Sequence, residues 1–252
     1  MQSIPRHRPR KRFGQHFLHD PGVIRRIVEA IAPAREDLIV EIGPGEGALT
    51  RSLLARAPRL EVIEIDRDLA AALAAEGVSV HAADALAFDF SVFPPGVRIV
   101  GNLPYNISTP LLFHLARYAE RVRDLHFMLQ LEVVERMVAQ PSTPEYGRLS
   151  VMLQTRFRMD KLFRVAPGAF RPPPKVESAV VRMVPLGVPL GCDEKVFEQV
   201  VREAFSARRK TLRNALSLDP ADYTELGIDA KLRPENLAPQ DFVRIARRVQ
   251  ER

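Results

Sequence analysis

A single cysteine, Cys192, stands in 252 residues. That count excludes an internal disulfide and a cysteine-rich metal site, so no metal is expected and a reducing cytoplasm is. Cys192 itself reads as a small structural side chain. No run approaches the ~20 consecutive apolar residues with which a helix crosses a bilayer, so no membrane partner is expected. The opening MQSIPRHRPRKR is basic, but no apolar segment follows it as in a secretory leader. Its prolines also spoil the amphipathic helix of a mitochondrial presequence. Internal repeats and low-complexity tracts are missing. Lysine is scarce: six lysines stand against thirty-one arginines.

What is present fits a globular chain able to bury one sizeable core and a small second domain. Apolar residues make up 46% and charged residues 27%, both ordinary values. Basic residues number 37 against 31 acidic ones, giving a pI near 9.8. A GC-rich genome alone would favour arginine over lysine. It does not explain the clustering in RHRPRKR (6–12), ARRKTLR (207–213) and RIARR (244–248). Arginine's planar fork suits phosphate and the faces of bases, so the clusters point to a polyanionic partner.

Organisation follows from alternating apolar patterns. After the arm, HDPGVIRRIVEAIA reads as a helix with Asp20 as N-cap and Pro21 in its first turn. Strands are predicted over 37–43, 59–66, 78–84, 97–102 and 124–131, and a last one over 178–185 near the sheet edge. Helices are predicted over 48–57, 67–76, from Ser108 or Thr109, and over 132–139. Short strand–helix alternation predicts an α/β fold with a doubly wound, mostly parallel sheet. The Pro/Gly-rich PLGVPLGCD at 185–193 suggests a boundary. The expected division is a basic arm over 1–12, an α/β domain over 13–187 and a small all-helical domain over 188–252, with one helical segment carrying Arg208, Arg209, Lys210 and Arg213.

The loop EIGPGEGALT (41–50) follows the first strand and opens a helix. Gly43 and Gly45 allow a sharp turn and a ligand's close approach to the backbone. Its GxGxG spacing differs from the GxGxxG of dinucleotide folds, where pyrophosphate sits on a helix N-terminus. Glu64 ends the next strand twenty-one residues after Gly43, the spacing at which a carboxylate accepts from ribose hydroxyls. Asp84 ends the third strand, where it can accept from an adenine amino group. With the neighbouring Ile65 and Ala85, these strand ends describe a nucleoside site that needs no phosphate contact. S-adenosylmethionine fits that description.

The fourth strand ends at GNLPYN (101–106). An adenine N6 is a poor nucleophile because its lone pair is delocalised into the ring. Acceptors on both hydrogens would favour a pyramidal nitrogen with its lone pair facing a methyl donor. The side-chain oxygen of Asn102 and the backbone carbonyl of Leu103 can be those acceptors. Pro104 restricts Leu103 to extended geometry and so fixes where the carbonyl aims. Tyr105 offers a flat face for a base taken out of its helix.

Several stretches together, KRFGQHFLHD (11–20), EIGPGEGALT, VIEID, GNLPYNISTPLL, YGRLSVMLQ (146–154), FRPPPKVESAVVRM (170–183) and AFSARRKTLRNAL (204–216), resemble the small-subunit ribosomal RNA adenine N6,N6-dimethyltransferase family of the KsgA/RsmA type. They run in order along nearly the whole chain. The resemblance implies a Rossmann-like class I methyltransferase fold and transfer of two methyls from S-adenosylmethionine to each of two adjacent adenosines in a hairpin of 16S rRNA. It implies that His16 and Leu18 border the methionine end of the cofactor, with Gly43 at its loop, Glu64 at the ribose and Asp84 at the adenine. Phe170 would close the target pocket opposite Tyr105. His16 departs from the asparagine frequent at that place in the family. Arg10, Lys11 and Arg12 in the arm, and Arg208, Arg209, Lys210 and Arg213, are expected to hold phosphates of the small subunit or its assembly intermediate. A monomer is expected.

Two other readings remain open. A large-subunit rRNA adenine methyltransferase of the antibiotic-resistance kind shares the glycine loop and an NLPY-like motif. A non-catalytic rRNA-binding assembly factor could keep the same fold, although the complete set Glu64, Asp84, Asn102 and Tyr105 argues against lost catalysis.

Overall fold

The structure, a computed structural model, describes residues 15–206 and 210–251. A two-residue strand β1 (Phe17–Leu18) leads into helix α1 (Pro21–Ile31). Asp20 caps that helix as expected, its Oδ1 accepting from Gly22 N at 2.8 Å and Val23 N at 3.0 Å. Alternating units follow: β2 (Ile39–Ile42), α2 (Ala48–Leu54), β3 (Leu60–Ile63), α3 (Arg67–Ala75), β4 (Ser79–His81), β5 (Val97–Asn102), α4 (Ser108–Ala116), β6 (Val122–Gln130) and α5 (Leu131–Val138). Then come α6 (Arg148–Gln154), β7 (Phe157–Val165), β8 (Phe170–Arg171) and β9 (Ser178–Pro185).

Seven strands form one sheet in the order β4-β3-β2-β5-β6-β9-β7. The pairs from β4 across to β6 are parallel, and β9 runs antiparallel to β6. The order places the first strand of the alternation, β2, in the middle, which is the doubly wound topology. β2 and β5 are buried along nearly their whole length, as strands covered by helices on both faces must be. Gly101 permits their close approach, since a Cβ there would come within 2.5 Å of Ile42 O. The outer strand β7 is not among the predicted strands, and β9 lies inside it. In FRMDKLFRV the exposed Arg158, Asp160, Lys161, Leu162 and Arg164 break the period-two alternation, and a charged edge of this kind discourages further strand pairing. Separately, β1 pairs antiparallel with β8, Phe17 opposite Arg171 and Leu18 opposite Phe170.

The chain divides into two compact units: one up to Val134 and from Asp160 to Val184, the other from Glu135 to Met159 and from Pro185 onward. The Glu135–Met159 segment thus groups with the C-terminal residues, a grouping that a single cut at 187/188 does not contain. Within the second unit lie α7 (Glu194–Ser206), α8 (Leu212–Ala215), α9 (Pro220–Glu225) and α10 (Pro239–Gln250). Tyr146 anchors it by donating to Leu237 O at 2.8 Å, with its ring edge-on to Phe205, which stacks on Phe242. The expected single basic helix is two pieces instead. α7 ends at Ser206, and Lys210 lies in a bend before Thr211, the residue that precedes α8.

Candidate active site

A cavity of about 290 Å³ opens at the carboxyl ends of β2, β3, β4 and β5, where open α/β sheets bind ligands. Its walls come from residues 15–18, 41–46, 63–65, 83–86 and 102–107, with Ala48 and Leu49 behind them. The sheet therefore brings Gly43, Gly45, Glu64, Ile65, Asp84, Ala85, Asn102, Leu103, Pro104 and Tyr105 together from successive strand ends. His16 and Leu18 join them from the strap that contains β1.

Each wall has a local cause. Gly45 has φ +58°, and a Cβ on it would lie 2.8 Å from Phe17 Cδ1, so the glycine loop and the strap are in close contact. Glu64 is buried. Its oxygens accept from Asp66 N at 2.8 Å and Gly45 N at 3.2 Å. Burial raises its pKa, against the opposing pull of those backbone bonds. Asp84 is exposed, with Oδ1 accepting from Leu86 N at 2.9 Å, which holds its carboxylate at the cavity mouth. Ile65 is 46% exposed, an apolar side chain at the cavity wall where a flat ring could cover it.

At the end of β5, Asn102 Nδ2 donates to His16 O at 2.9 Å. Because the amide nitrogen points to the strap, its oxygen is the end left to accept from a ligand. Tyr105 shares a hydrogen bond with Ser178 Oγ at 2.8 Å, and burial raises its pKa, so it stays a neutral phenol. Leu103 is held by its N–H to Met128 O at 3.1 Å. His16 Nδ1 lies 2.7 Å from Pro172 O, and its ring stacks on that of Tyr105 with centroids 5.6 Å apart.

Phe170 does not reach this place. It is 2% exposed, packs in the apolar core with Leu18 and Val180, and is not among the cavity walls. Its direction is set by the β1–β8 pairing, which local sequence does not encode. Arg10, Lys11, Arg12, Arg208 and Arg209 lie outside the described residues. Lys210 and Arg213 are exposed in the second unit.

Sequence reasoning missed Glu41 and Thr50. Glu41, at the third position of β2, is buried, and Thr50 Oγ1 donates to it at 2.6 Å. Burial pushes its carboxyl up to about 7, with the Thr50 bond opposing and the Glu64 charge adding. The available signal was a carboxylate inside an otherwise apolar strand. Glu41, Glu46, Glu64 and Asp84 all line the cavity, and among the described residues no lysine or arginine does. Such a set fits a ligand that carries positive charge and offers hydroxyl and amino donors, as S-adenosylmethionine does. Among the described residues no cluster of histidine, cysteine and carboxylates could hold a metal ion, and no helix is long and apolar enough to cross a membrane.

The family model described as ribosomal RNA adenine dimethylase matches residues 6–251. The curated ribosomal RNA small subunit methyltransferase A of Chromobacterium violaceum is 58% identical, with 99% of this chain and 98% of that protein covered. The protein of the same description from Aromatoleum aromaticum is 59% identical, with 95% and 93% covered. Among solved structures, a dimethyladenosine transferase from Plasmodium falciparum superposes with a TM-score of 0.80 at 26% identity, covering 91% of this chain and 96% of its own. The 23S rRNA methyltransferase ErmE gives 0.68 at 28% identity, covering 94% and 100%.

Proposed function

The chain belongs to the ribosomal RNA adenine dimethylase family, and on that premise we propose that its cavity holds S-adenosylmethionine beside a flipped adenine of the small subunit. The protein is an S-adenosylmethionine-dependent rRNA adenine dimethyltransferase. It converts two adjacent adenosines of a 3′-terminal 16S rRNA hairpin to N6,N6-dimethyladenosine during small-subunit assembly. The observation that carries the reading is the set of the Asn102 amide, whose nitrogen is engaged by His16 O and whose oxygen is therefore turned to the ligand.

When bound, the cofactor supplies a methyl on a sulfonium sulfur, already activated for transfer. The residues here mainly position and exclude. Glu64 would accept from the ribose hydroxyls and Asp84 from the adenine amino group, with Ile65 and Ala85 against the ring. Gly43 and Gly45 leave room along the loop, and His16 and Leu18 border the methionine end. The carboxylate-rich lining favours the positively charged donor over the product that has lost its sulfonium charge. Asn102 Oδ1 and Leu103 O accept the two N6 hydrogens and turn the nitrogen lone pair toward the methyl group. Pro104 fixes the carbonyl, and Tyr105 stacks on the base. In-line placement supplies most of the acceleration. The N6 proton becomes acidic once nitrogen carries the new methyl, and water takes it.

The arm at 1–12 and the helical domain over 188–252, with Glu135–Met159 joined to it, hold rRNA phosphates through Arg10, Lys11, Arg12, Arg208, Arg209, Lys210 and Arg213. The enzyme acts in the cytoplasm, as a monomer, on the small subunit or its assembly intermediate. To test this, purified protein receives labelled S-adenosylmethionine with unmethylated small subunits, large subunits or DNA, and the modified nucleoside is identified by mass spectrometry. Dimethyladenosine from small subunits alone is expected. Label in large subunits would move the reading to the resistance-type enzyme, and tight small-subunit binding without label would make the protein an assembly factor.

A further inference from the structure

We propose that one buried water, held between the imidazole of His126 and the amide of Asn102, fixes that amide from behind and makes His126 a positioning residue for methyl transfer. The inference rests on reading Asn102 as the group that orients the target amine. A second cavity, of about 10 Å³, shares Asn102 and Leu49 with the large one. That volume is roughly the room of one water. Its other walls include the apolar Ile27, Met128 and Val180, and His126 is the one ionisable side chain among the described lining residues. A wholly apolar cavity of this size stays dry, so the imidazole decides the character of the place.

His126 is 3% exposed, and neither of its ring nitrogens has a hydrogen-bond partner among the described residues. Nδ1 lies 3.4 Å from Asp124 Oδ1, a long ionic contact to an oxygen that already accepts from Arg98 Nε at 3.0 Å. A carboxylate only accepts, so Nδ1 carries the hydrogen of the neutral ring and Nε2 keeps its lone pair. Arg182, opposite His126 on β9, makes no hydrogen bond to it. A buried acceptor left without a donor is costly. Asn102 has the complementary need. Its Nδ2 carries two hydrogens, and among the described residues one is used, by His16 O at 2.9 Å. Strand register sets the two residues side by side. Val100 stands opposite His126 and Asn102 opposite Met128, so Asn102 and His126 leave the same face of the sheet, one pleat apart. A water that accepts from Nδ2 and donates to Nε2 satisfies both groups. With both hydrogens held, Oδ1 is the one atom of the amide left for the target amine. Turning the amide over would set Oδ1 against His16 O and forfeit both bonds.

The test has a structural and a kinetic arm. A crystal structure of the wild type at atomic resolution should show one ordered water about 2.7–3.2 Å from both His126 Nε2 and Asn102 Nδ2. No water there, or a water that touches only one of the two, overturns the proposal. The kinetic arm measures the first methyl transfer in single turnover, with cofactor and small subunits saturating, for wild type, His126→Gln, His126→Asn and His126→Phe. A glutamine amide falls near the place of Nε2 and an asparagine amide near that of Nδ1. His126→Gln should therefore keep most of the rate, while His126→Asn and His126→Phe should lower it about three- to tenfold, the worth of one hydrogen bond. A rate kept by His126→Asn and lost by His126→Gln would mean that the ring serves Asp124 alone. Equal loss in all three variants would make it a packing residue, and unchanged rates would remove the positioning role. Each of these results overturns the proposal, and where a variant does not fold the wild-type structure decides. If the wild type methylates no small subunits, the functional reading fails, whereas the water is still seen or not seen by crystallography.

Discussion

At the end of the sheet where strands begin, Arg98 of β5 is enclosed by two carboxylates. Its Nε and Nη2 each donate to Asp124 at 3.0 Å and its Nη1 to Asp37 at 2.7 Å, while Ile31 O and Ala32 O accept its remaining reach. At the end where strands finish, Glu41, Glu46, Glu64 and Asp84 line a cavity with no lysine or arginine among the described lining residues. Both ends bury charge. At the first, every charge meets its opposite, and the cluster pins α1, β5 and β6 to one another. At the second, Glu41 and Glu64 are the buried carboxylates, and their hydrogen bonds come from Thr50 and from backbone N–H groups rather than from a cation. Buried charge with partners is a property of the fold, whereas buried charge without them marks where a ligand completes the molecule.

The two ends also respond to pH with opposite signs. For Asp37, burial raises the pKa, but bonds from Ala34 N and Arg98 and the charges of Arg98 and Arg123 hold it below its usual value. Asp124 is held low in the same way, against its burial, by His126 and Arg98. Such depressed carboxylates stabilise the fold above their unfolded pKa and lose that contribution only as pH falls through the depressed values. Glu41 is raised from 4.5 to about 7, so the unfolded chain ionises first. Stability therefore declines as pH rises across that interval and levels off above it.

The largest effect that would break this comparison belongs to Arg98→Met. Removing the cation leaves two buried carboxylates facing each other, and the expected loss is about 3–5 kcal/mol in urea unfolding. Cofactor affinity of the folded fraction should not change; if it falls, the two ends are not separate in function. Next comes Asn102→Ala, expected to lower single-turnover methylation about 100- to 1000-fold by removing one preorganised acceptor. Cofactor binding should be weakened but measurable by calorimetry, and unchanged turnover would remove the amine-orienting role. Smallest is Glu41→Gln. Wild type should lose on the order of 3 kcal/mol of stability between pH 4.5 and pH 8, and the variant should lack that decline. Parallel unfolding curves for both proteins would show that Glu41 titrates normally.

Much of this arrangement is legible in the sequence, because strand ends in a parallel sheet are local features. A glycine loop after an apolar run, then Glu64, Asp84 and Asn102 each closing the next one, predicts which groups meet, and they do line one cavity. What escaped depends on pairings between distant segments. Strand β7 hides behind its exposed charges, and β9 enters the sheet between β7 and the earlier β6, with which it pairs antiparallel. The Phe170 side chain turns inward because Leu18 stands opposite it, one hundred and fifty-two residues earlier. The Asn102 side chain was readable as an acceptor. That His16 O fixes which end of it accepts was not, since the strap reaches β5 only in three dimensions.

The strap has a consequence for how the molecule comes into being. Residues 15–18 leave the ribosome near the start of synthesis, yet Leu18 must wait for Phe170 and His19 N for Ala169 O. At about 5–20 residues per second, roughly 8 to 30 seconds separate the two. Until then the glycine loop has been made without its cover, and Asn102 without the carbonyl that sets its amide. A nascent chain released before residue 170 would hold the strand-end carboxylates and still lack a closed site. The enzyme that matures ribosomes is in this sense finished late by one, its first-made segment serving as the last piece fitted.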